Sequence, residues 1–548
     1  MKKLMMIGGA VVAILSIEAK ASTVAYWPLA GENGVWTTQG DVFQNSATPG
    51  TMDAISTVIR CRDGYVAPTK GVHAKDYPAG TNAFPPAYGV YDPVAKENLA
   101  AATGLDFGTG SFANNWNSDN NCCWIAGALR VADPDALKLS TFTVEFFLKP
   151  DLDYKSRTQI IAAMPLETGT HSDYTAVKES WSIKLDGNNH IVATFATTNN
   201  ATIKTFTSDA VPLFDGRWHH FAFTVSGTTF KMLFDYVVVR SGTLNDNVNY
   251  NEDGDLFIGG TTHDIYSYAG HMAHFRVSSE ALTSDNFLHF TRTTRAADEP
   301  EDVVLHLDFE PVDGLSTNQT VVFNRAATGS AVHLHTADNW QPAAYAQFDT
   351  DVYTNKLYVS RKDRKGNENT RSFNKTNTSS QYPYLAWYPV DDIFRDYSFT
   401  VEMFMKTSES GKYKSYLRRQ LDSGDNSPQL SISTRGTAGK LECGFYKAGI
   451  TVADTATISE SGWHHVAFVY DKTASKFSWF RDWDTKVGEK NVASDIGVAA
   501  TTPIMLLGWT DATGSKAKID EVRITKRALG VKEFLTPERA QGLIIFVQ

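Results

Sequence analysis

A six-residue motif that occurs twice constrains the fold of this chain more than any other feature. Residues 218–223 read WHHFAF and residues 463–468 read WHHVAF, each after a glycine-containing turn. Aromatic and β-branched residues that follow a tight turn are typical of a β-strand. Side chains alternate along a strand, and here both faces are largely apolar, which predicts a central strand packed on each side. The two copies indicate a tandem duplication.

The segments around the motif also repeat, in the same order. Residues 141–149 (TFTVEFFLK) match 398–406 (SFTVEMFMK) before it, and residues 256–260 (LFIGG) match 505–509 (MLLGW) after it. Short, evenly spaced strands without a long amphipathic helix predict an all-β fold, with an antiparallel two-sheet sandwich in each half.

Residues 1–21 have the features of a secretory signal peptide, with Lys2 and Lys3 before an apolar run and Ala19-Lys20-Ala21 as the cleavage site. We therefore expect an exported protein, either extracellular or periplasmic.

The remaining chain divides into two units and two short segments. We predict a first unit at 22–292, a polar linker at 293–302, a second unit at 303–540, and a strand or tail at 541–548. The apolar run in this tail is too short to span a bilayer, so no membrane insertion of the mature chain is expected.

The charge of the chain argues against two classes of partner. Residues 22–548 contain 51 − 3 = 48 Lys and Arg and 61 − 1 = 60 Asp and Glu, which gives a formal charge of −12. An acidic chain without a basic stripe is not expected to bind nucleic acid or an anionic membrane surface.

The four cysteines allow one disulfide in an oxidising compartment. We predict a bridge from Cys61 to Cys122 or Cys123, and a free thiol at Cys443, which lies within a predicted strand. The cysteine spacing does not fit a metal site.

The repeated motifs carry a family resemblance. The order FTVE, G-x-WHH-x-AF, IGG and residues 519–524 (IDEVRI), followed by Ala528-Leu529, resembles laminin-G-like domains of the concanavalin A-like lectin/glucanase fold, including bacterial versions and their pentraxin relatives. The resemblance covers almost the whole mature chain twice and implies two tandem jelly-roll β-sandwiches. Because this fold hosts lectins, adhesion modules and glycosidases, it implies little about function.

Catalysis is not expected from the residues present. Adjacent histidines in a strand point to opposite faces and cannot bind one metal together, so His219 and His220 are predicted to be structural. Retaining glycosidases of the fold that this chain resembles carry a cluster of acids on one strand, because their chemistry needs two carboxylates about 5–5.5 Å apart. Glu145 is followed two positions later by Phe147, and Glu402 by Phe404, so no such pair forms.

Aromatic residues in Asn- and Ser-rich surroundings are the candidate glycan contacts. These are Trp116, Trp124, Tyr382, Tyr384, Trp387 and Tyr388. The alternative is that they close the ends of the sandwiches.

The resemblance also implies a possible structural calcium in the second unit. Family relatives often hold calcium with one acid near the first strand and one in the closing strand, and here these are Asp308, Glu310 and Asp520. The alternative for Asp520 is a salt bridge to a nearby cation, namely Arg523, Lys526 or Arg527. No cofactor is required.

These observations predict a secreted, non-catalytic protein that binds a glycan through the loops of two sandwiches. One alternative is a structural or adhesive surface protein that binds a cell-surface protein, and another is a divergent glycoside hydrolase. The oligomeric state is not predicted.

Overall fold

The computed structural model describes a defined set of segments in both units. These are residues 23–29, 42–59, 85, 87–95, 97–99, 105–107, 126–132, 134–166, 179–198, 200–251, 254–260, 268–316, 321–328, 332–335, 346–349, 372–375, 384–387, 389, 391–407, 414–420, 428–435, 440–445, 449–457, 462–492, 502–507 and 517–535. The predicted signal peptide and the predicted tail at 541–548 lie outside them.

In both units the regular secondary structure of the described residues is almost entirely β-strand. In the first unit the strands are β1 (Thr23–Trp27), β2 (Val42–Phe43), β3 (Ala54–Ile59), β4 (Tyr88–Asp92), β5 (Glu97–Leu99), β6 (Leu105–Asp106), β7 (Ala126–Val131), β8 (Thr141–Pro150), β9 (Gln159–Pro165), β10 (Glu179–Leu185), β11 (Ile191–Thr197), β12 (Asn200–Thr207), β13 (His219–Ser226), β14 (Thr229–Phe234), β15 (Val237–Thr243), β16 (Leu256–Ile258), β17 (Gly270–Ser278) and β18 (His289–Arg292). In the second unit they are β19 (Val303–Leu307), β20 (Val321–Val322), β21 (Val332–His335), β22 (Ala346–Asp349), β23 (Ser372–Lys375), β24 (Tyr384–Trp387), β25 (Phe399–Lys406), β26 (Ser415–Gln420), β27 (Pro428–Arg435), β28 (Lys440–Phe445), β29 (Ile450–Thr457), β30 (His464–Asp471), β31 (Lys476–Arg481), β32 (Thr485–Asn491), β33 (Ile504–Leu506) and β34 (Ala517–Thr525).

Helical structure in the described segments is limited to single turns. These are α1 (Ile393–Asp396) and the 3₁₀ turns Asp135–Leu137, Leu152–Tyr154, Ser284–Asn286 and Val531–Glu533. None of the helices in this part of the chain is long and apolar enough to cross a membrane.

Each unit is built from two large sheets, which we name the histidine sheet and the opposite sheet. The histidine sheet, which contains the repeated motif, has the order β1-β17-β8-β13-β14-β15 in the first unit and β22-β23-β34-β25-β30-β31-β32 in the second, where β19 also pairs with β34. The opposite sheets have the orders β12-β11-β10-β9-β16-β7-β3-β2 and β20-β21-β24-β33-β26-β27-β28-β29. This architecture confirms the predicted pair of tandem β-sandwiches.

The strand of the motif is central in each histidine sheet, as predicted. β13 pairs antiparallel with β8 on one side and with β14 on the other. On its inner face, Phe221 and Phe223 belong to the core between the sheets, where the ring of Phe223 lies 5.2 Å from that of Trp181. On its outer face, Ala222 packs against Phe287 and other residues that follow β17. Burial of both faces explains why the motif is apolar throughout.

The two units contact each other beside the motif of the first unit. Trp218 N–H donates to Gly314 O (3.0 Å), and Ser316 N–H donates to Trp218 O (2.9 Å). Leu315 lies between these bonds and is fully buried. Gly314 has a φ of 82°, in the left-handed region that favours glycine. A segment of the second unit therefore covers the motif of the first.

The segment between the units, predicted as a linker, packs against the second unit. Ala296 and Glu299 are each 5 % exposed. Ala296 N–H donates to Arg325 O (2.9 Å), and Glu299 accepts a hydrogen bond from His306 Nδ1 (2.7 Å). These contacts fix where the second unit begins relative to the first.

Candidate functional site

The second histidine of each motif contacts a buried glutamate from the neighbouring strand. In the first unit, Glu145 Oε2 accepts hydrogen bonds from His220 Nε2 (2.9 Å) and Leu288 N (2.8 Å). Its Oε1 accepts from Arg276 Nε (2.7 Å) and Nη2 (2.5 Å). Both carboxylate oxygens are thus occupied by two donors each, in a site without measurable exposure of Glu145.

The second unit repeats this cluster. Glu402 accepts from His465 Nε2 (3.1 Å), from Leu535 N (2.6 Å) and from Arg523 Nε (2.7 Å) and Nη2. Burial alone would raise the pKa of Glu402, but the charge of Arg523 and the hydrogen bond from His465 hold that pKa below its ordinary value. The pKa of Glu145 is lowered in the same way, by Arg276 and His220.

An ionised glutamate with this many donors is a structural anchor. A general acid needs a proton to give, and a nucleophile or base needs a lone pair directed at a substrate. Neither condition holds for Glu145 or Glu402. In each unit the cluster instead connects the motif strand and the closing strand (β17 or β34) to the segment that follows the closing strand. Leu288 and Leu535 therefore lie at equivalent points in the two units.

The first histidine of each motif holds a tight turn. His219 Nδ1 donates to Asp235 Oδ2 (2.8 Å) and His219 Nε2 donates to Asp215 Oδ1 (2.9 Å). Asp235 and Tyr236 have φ values of 47° and 70° in the two-residue connection between β14 and β15, which is typical of a type I′ hairpin. His464 contacts Asp482 at the matching turn (3.1 Å). The two adjacent histidines therefore have separate structural roles on opposite faces, as predicted.

Another buried histidine, His306 of β19, lies between two carboxylates at a position where the first unit has Tyr26. His306 contacts Glu299 Oε2 through Nδ1 (2.7 Å) and Glu521 Oε2 through Nε2 (2.7 Å). Burial would lower the pKa of His306, but these hydrogen bonds raise it to about 9. At the matching position of the first unit, Tyr26 OH contacts His274 Nδ1 (2.5 Å), and burial lowers the pKa of His274 to about 3.

The predicted glycan contacts have different outcomes. Trp116, Trp124, Tyr382 and Tyr388 lie outside the described residues, and Tyr384 is placed only by its backbone in β24. The prediction for Trp387 is wrong, because this side chain is 1 % exposed in the core and its Nε1 donates to Thr328 O (3.2 Å). A ring in that position cannot stack on a sugar.

The predicted calcium residues do not converge on one point in the described structure. Asp308 Oδ2 accepts from Arg325 Nη1 (2.9 Å), and Asp308 Oδ1 accepts from the backbone N–H of Glu310 (3.2 Å). Asp520 is fully buried in β34. Among the described residues, no group of three or more His, Cys, Asp or Glu side chains could hold a metal ion.

The three cations predicted as alternative partners of Asp520 form salt bridges with other carboxylates. Arg523 pairs with Glu402, Lys526 with Asp391, and Arg527 with Asp302 and Glu533. A structural calcium in the second unit stays a prediction.

The cysteine predictions divide in the same way. Cys443 is a free, fully buried thiol in β28, as predicted. Cys61, Cys122 and Cys123 lie outside the described residues, so the disulfide stays a prediction.

The outer face of the opposite sheet carries a row of polar and apolar residues, many of them buried, that the sequence analysis did not identify. In the first unit, paired residues on successive strands form a line that faces away from the core, named here the first row. Its members are Arg130, Phe257, Ala163, Ser182, Thr194 and Thr205. Neighbouring strands lie about 4.8 Å apart, so the row presents side chains at that interval.

Charged and hydroxyl groups of this face contact one another. Ser182 Oγ and Thr194 Oγ1 lie 2.6 Å apart, and Thr194 Oγ1 donates to Glu179 Oε2 (3.2 Å). Glu179 also pairs with Lys184 Nζ (3.4 Å), and the Lys184 side chain is 25 % exposed. Ser182 is fully buried and Glu179 is 5 % exposed, so solvent reaches this part of the face at Thr194, Thr205 and Lys184.

The second unit has an equivalent line with different residues, named the second row. Its members are Ala386, Met505, Arg418, Ser431, Gly444 and Thr451. A cation, Arg418, stands where the first row has Ala163. The alternation of Ser182 with Ile183 and of Ser431 with Ile432 is visible in the sequence and could have identified both faces.

The chain belongs to a defined family. Residues 126–286 and 377–533 match the laminin G family described as the concanavalin A-like lectin/glucanases superfamily. The two matched regions contain both copies of the motif, which confirms the resemblance derived from the repeats. No curated protein sequence matches the chain.

Solved structures with a similar fold include carbohydrate-binding and laminin domains. Domain 4 of a GH43 extracellular arabinanase from Geobacillus stearothermophilus, in complex with arabinotriose, is 16 % identical, with a TM-score of 0.31 over 43 % of this chain and 97 % of that domain. The CBM40 of the Ruminococcus gnavus IT-sialidase is 12 % identical, with a TM-score of 0.24 over 28 % of this chain and 83 % of that module. The LG1-3 region of the laminin α2 chain is 10 % identical, with a TM-score of 0.23 over 74 % of this chain and 62 % of that region.

Proposed function

We propose that the protein is an exported, non-catalytic glycan-binding protein whose opposite sheets bind carbohydrate through their outer rows. The observation that supports this most directly is at the partly exposed Thr194 of the first row, whose hydroxyl donates to Glu179 beside the Lys184 side chain, which is 25 % exposed. Hydroxyl groups donate and accept hydrogen bonds, and carboxylates and ammonium groups complement them. A sugar presents the same alternation of donors and acceptors.

The proposed binding site lies on strands of the opposite sheets, whereas the sequence predicted a site in the loops. The sequence favoured aromatic residues in loops, whereas Trp387 is part of the core. The outer rows lie on strands that are held in register on both sides, and polar groups on a rigid sheet lose little conformational freedom when a ligand binds.

A binding role is favoured over hydrolysis because of how the buried acids are used. Glu145 and Glu402 are saturated by donors. Glu179 on the first face is paired with Lys184. Hydrolysis with retention needs two carboxylates about 5–5.5 Å apart on either side of the glycosidic bond.

A glycan array with the mature chain tests the proposal. Thr194→Arg and Thr451→Arg place a bulky side chain on each row, and we expect the double variant to lose about tenfold or more of its glycan affinity. Thr243→Arg and Thr485→Arg are matched controls, because both threonines are exposed on the outer strands of the histidine sheets. Retained binding in the row variants, or no binding by the unaltered chain, would contradict the proposal.

A further inference from the structure

The second unit docks on the first at a turn that carries a buried carboxylate. Ser316 Oγ of the covering segment (residues 312–316) donates to Asp235 Oδ2 (2.7 Å), and Leu315 packs in the same apolar cluster as Trp218. The Asp235 side chain is 1 % exposed, whereas that of Asp482 at the equivalent turn of the second unit is 42 % exposed. Burial of a carboxylate costs free energy unless donors or a cation accompany it. Docking therefore depends on the groups that compensate the charge of Asp235.

His219 supplies positive charge at this turn. Its Nδ1 contacts Asp235 Oδ2 (2.8 Å) and its Nε2 contacts Asp215 Oδ1 (2.9 Å). A neutral imidazole has one N–H and donates to one carboxylate, whereas the protonated ring donates to both. Burial would lower the pKa of His219, but the charge of Asp235 and the hydrogen bonds to both carboxylates raise it to about 9. Asp235 Oδ2 also accepts from Ser316, so the ring and the covering segment contact the same atom.

We propose that His219 is a pH-dependent latch between the two units, in which the protonated ring stabilises the docked covering segment and loss of the proton weakens docking. A neutral ring leaves Asp235 buried without the positive charge 2.8 Å away. Water compensates for that loss once residues 312–316 move off the turn. Proton binding and docking therefore favour each other. The contribution is fully present below the unfolded pKa of about 6.5, and it is lost as the pH rises through about 9.

Other titratable groups lie on the elements packed around His219. They are Arg217 and His220 beside it, Tyr236 of the turn, Asp313 of the covering segment, Lys149 of β8, and Asp151 and Asp153 at the 3₁₀ turn whose Leu152 lies beside Gly216. Burial would raise the pKa of Asp215, but its contacts with His219 and the charge of Arg217 lower it. Burial also lowers the pKa of Lys149, so substitutions have to separate its titration from that of His219.

Hydrogen exchange of the mature chain at pH 7 and pH 9.5, corrected for the intrinsic exchange rate at each pH, tests the latch. The amide of Ser316 donates to Trp218 O and the amide of Trp218 donates to Gly314 O, so both report docking. The amide of Asp235 donates to His220 O (2.8 Å) and reports the turn of the first unit alone. We expect the protection of the two docking amides to fall about tenfold between these pH values, while the amide of Asp235 keeps its protection.

Three variants separate the charges at the latch. His219→Gln should already show the weaker protection of the Ser316 amide at pH 7, because glutamine carries no charge. Asp215→Asn should move the loss of protection to lower pH, since His219 then has one carboxylate fewer to hold its proton. Asp235→Asn should keep the Ser316 amide protected at both pH values, because a neutral amide is buried without a compensating cation.

His464→Gln is the matched control, because His464 is the equivalent motif histidine of the second unit. It should leave the pH dependence at Ser316 unchanged. The latch is overturned if the Ser316 amide is equally protected at pH 7 and pH 9.5, or if Asp215→Asn does not move the loss to lower pH. It is also overturned if the amide of Asp235 loses as much protection as that of Ser316, because the pH would then act on the turn itself.

Discussion

The same motif has two different environments in the two units. Trp218 is 1 % exposed, whereas Trp463 is only partly buried at the same position before the motif strand. The motif strands themselves are alike, since each pairs with two neighbouring strands and contacts a buried glutamate on one of them. The difference comes from residues 312–316, which cover one turn. Duplicated residues thus specify the strand, while the segment that docks on it determines how much of the motif is buried.

The charged groups around the motif also differ between the two units. His219 is held between Asp215 and Asp235 in a site closed by Ser316, whereas His464 contacts Asp482 in a more open one. Burial would lower the pKa of His219, but the two carboxylates raise it to about 9. Asp215 lies outside the repeated motif, so a residue that flanks the motif supplies the second carboxylate of His219.

Removing the glutamate anchors should have the largest effect. Glu145→Ala removes the fully buried carboxylate partner of Arg276 and leaves it with Asp92 (3.0 Å) as a carboxylate partner, so we expect a loss of about 3–5 kcal/mol in the free energy of unfolding. Glu402→Ala should cost about 1 kcal/mol less, because the Arg523 side chain is 12 % exposed and Arg276 only 1 %. Urea unfolding of both variants measures this, with Glu145→Gln as the milder change. Equal losses would show that the exposure of the arginine is unimportant.

The next largest effect should be a difference in stability loss between Trp218→Ala and Trp463→Ala. The sequence alone predicts similar costs of about 3–5 kcal/mol for Trp218→Ala and Trp463→Ala, as for large aromatic residues in cores. The structure keeps that value for Trp218 and reduces it to about 1–2 kcal/mol for Trp463, since a partly exposed side chain buries less apolar area. Urea denaturation of the two variants gives the comparison. Trp463→Ala costing as much as Trp218→Ala would mean that its surface is covered in solution.

Raising the pH should destabilise the protein through His219 and His306, each of which lies between two carboxylates. His219 and His306 have folded pKa values of about 9, above their unfolded value of about 6.5. Their contribution is therefore fully present below pH 6.5 and is lost as the pH rises through about 9, by up to about 3 kcal/mol each.

Unfolding free energies at pH 6 and pH 9.5 measure this decline. His219→Gln and His306→Gln should each remove part of it, because the substituted side chain does not titrate. A stability that is unchanged between these two pH values would contradict the protonated state of both histidines.

The sequence was sufficient for the sandwiches and insufficient for the contacts between distant strands. Alternation in the motif predicted that both faces of β13 and β30 are buried, because period-2 patterning acts locally. The partners of Glu145 could not be predicted, since Arg276 lies 131 positions away and strand register is set by the whole fold. A usable signal was present, namely a glutamate and an arginine that recur at equivalent places within apolar strands of both copies.

The error at Trp387 has a similar origin. Its neighbours Tyr382 and Tyr388 suggested a loop, and the short strand β24 was not recognised. Within that strand, Leu385 and Trp387 both face the core, and Ala386 between them lies on the outer face. Four residues are too few for a pattern to outweigh the surrounding polar composition.

The smallest effect should come from a contact that is the same in both units. Thr143 Oγ1 donates to Glu280 O (2.6 Å) and accepts from Leu282 N (2.8 Å), while Thr400 Oγ1 donates to Arg527 O (2.8 Å) and accepts from Leu529 N (2.9 Å). Both threonines are fully buried. Replacing either by valine keeps the shape and leaves one buried N–H without its acceptor, which should cost about 1–3 kcal/mol.

Equal losses for Thr143→Val and Thr400→Val, measured by urea unfolding, are the expected result. Neither threonine contacts the covering segment 312–316, so the difference that separates Trp218 from Trp463 should not reach them. A Thr143→Val variant that lost much more than Thr400→Val would show that docking between the units stabilises the whole first sandwich. The effect of the covering segment would then extend beyond the motif turn that it contacts.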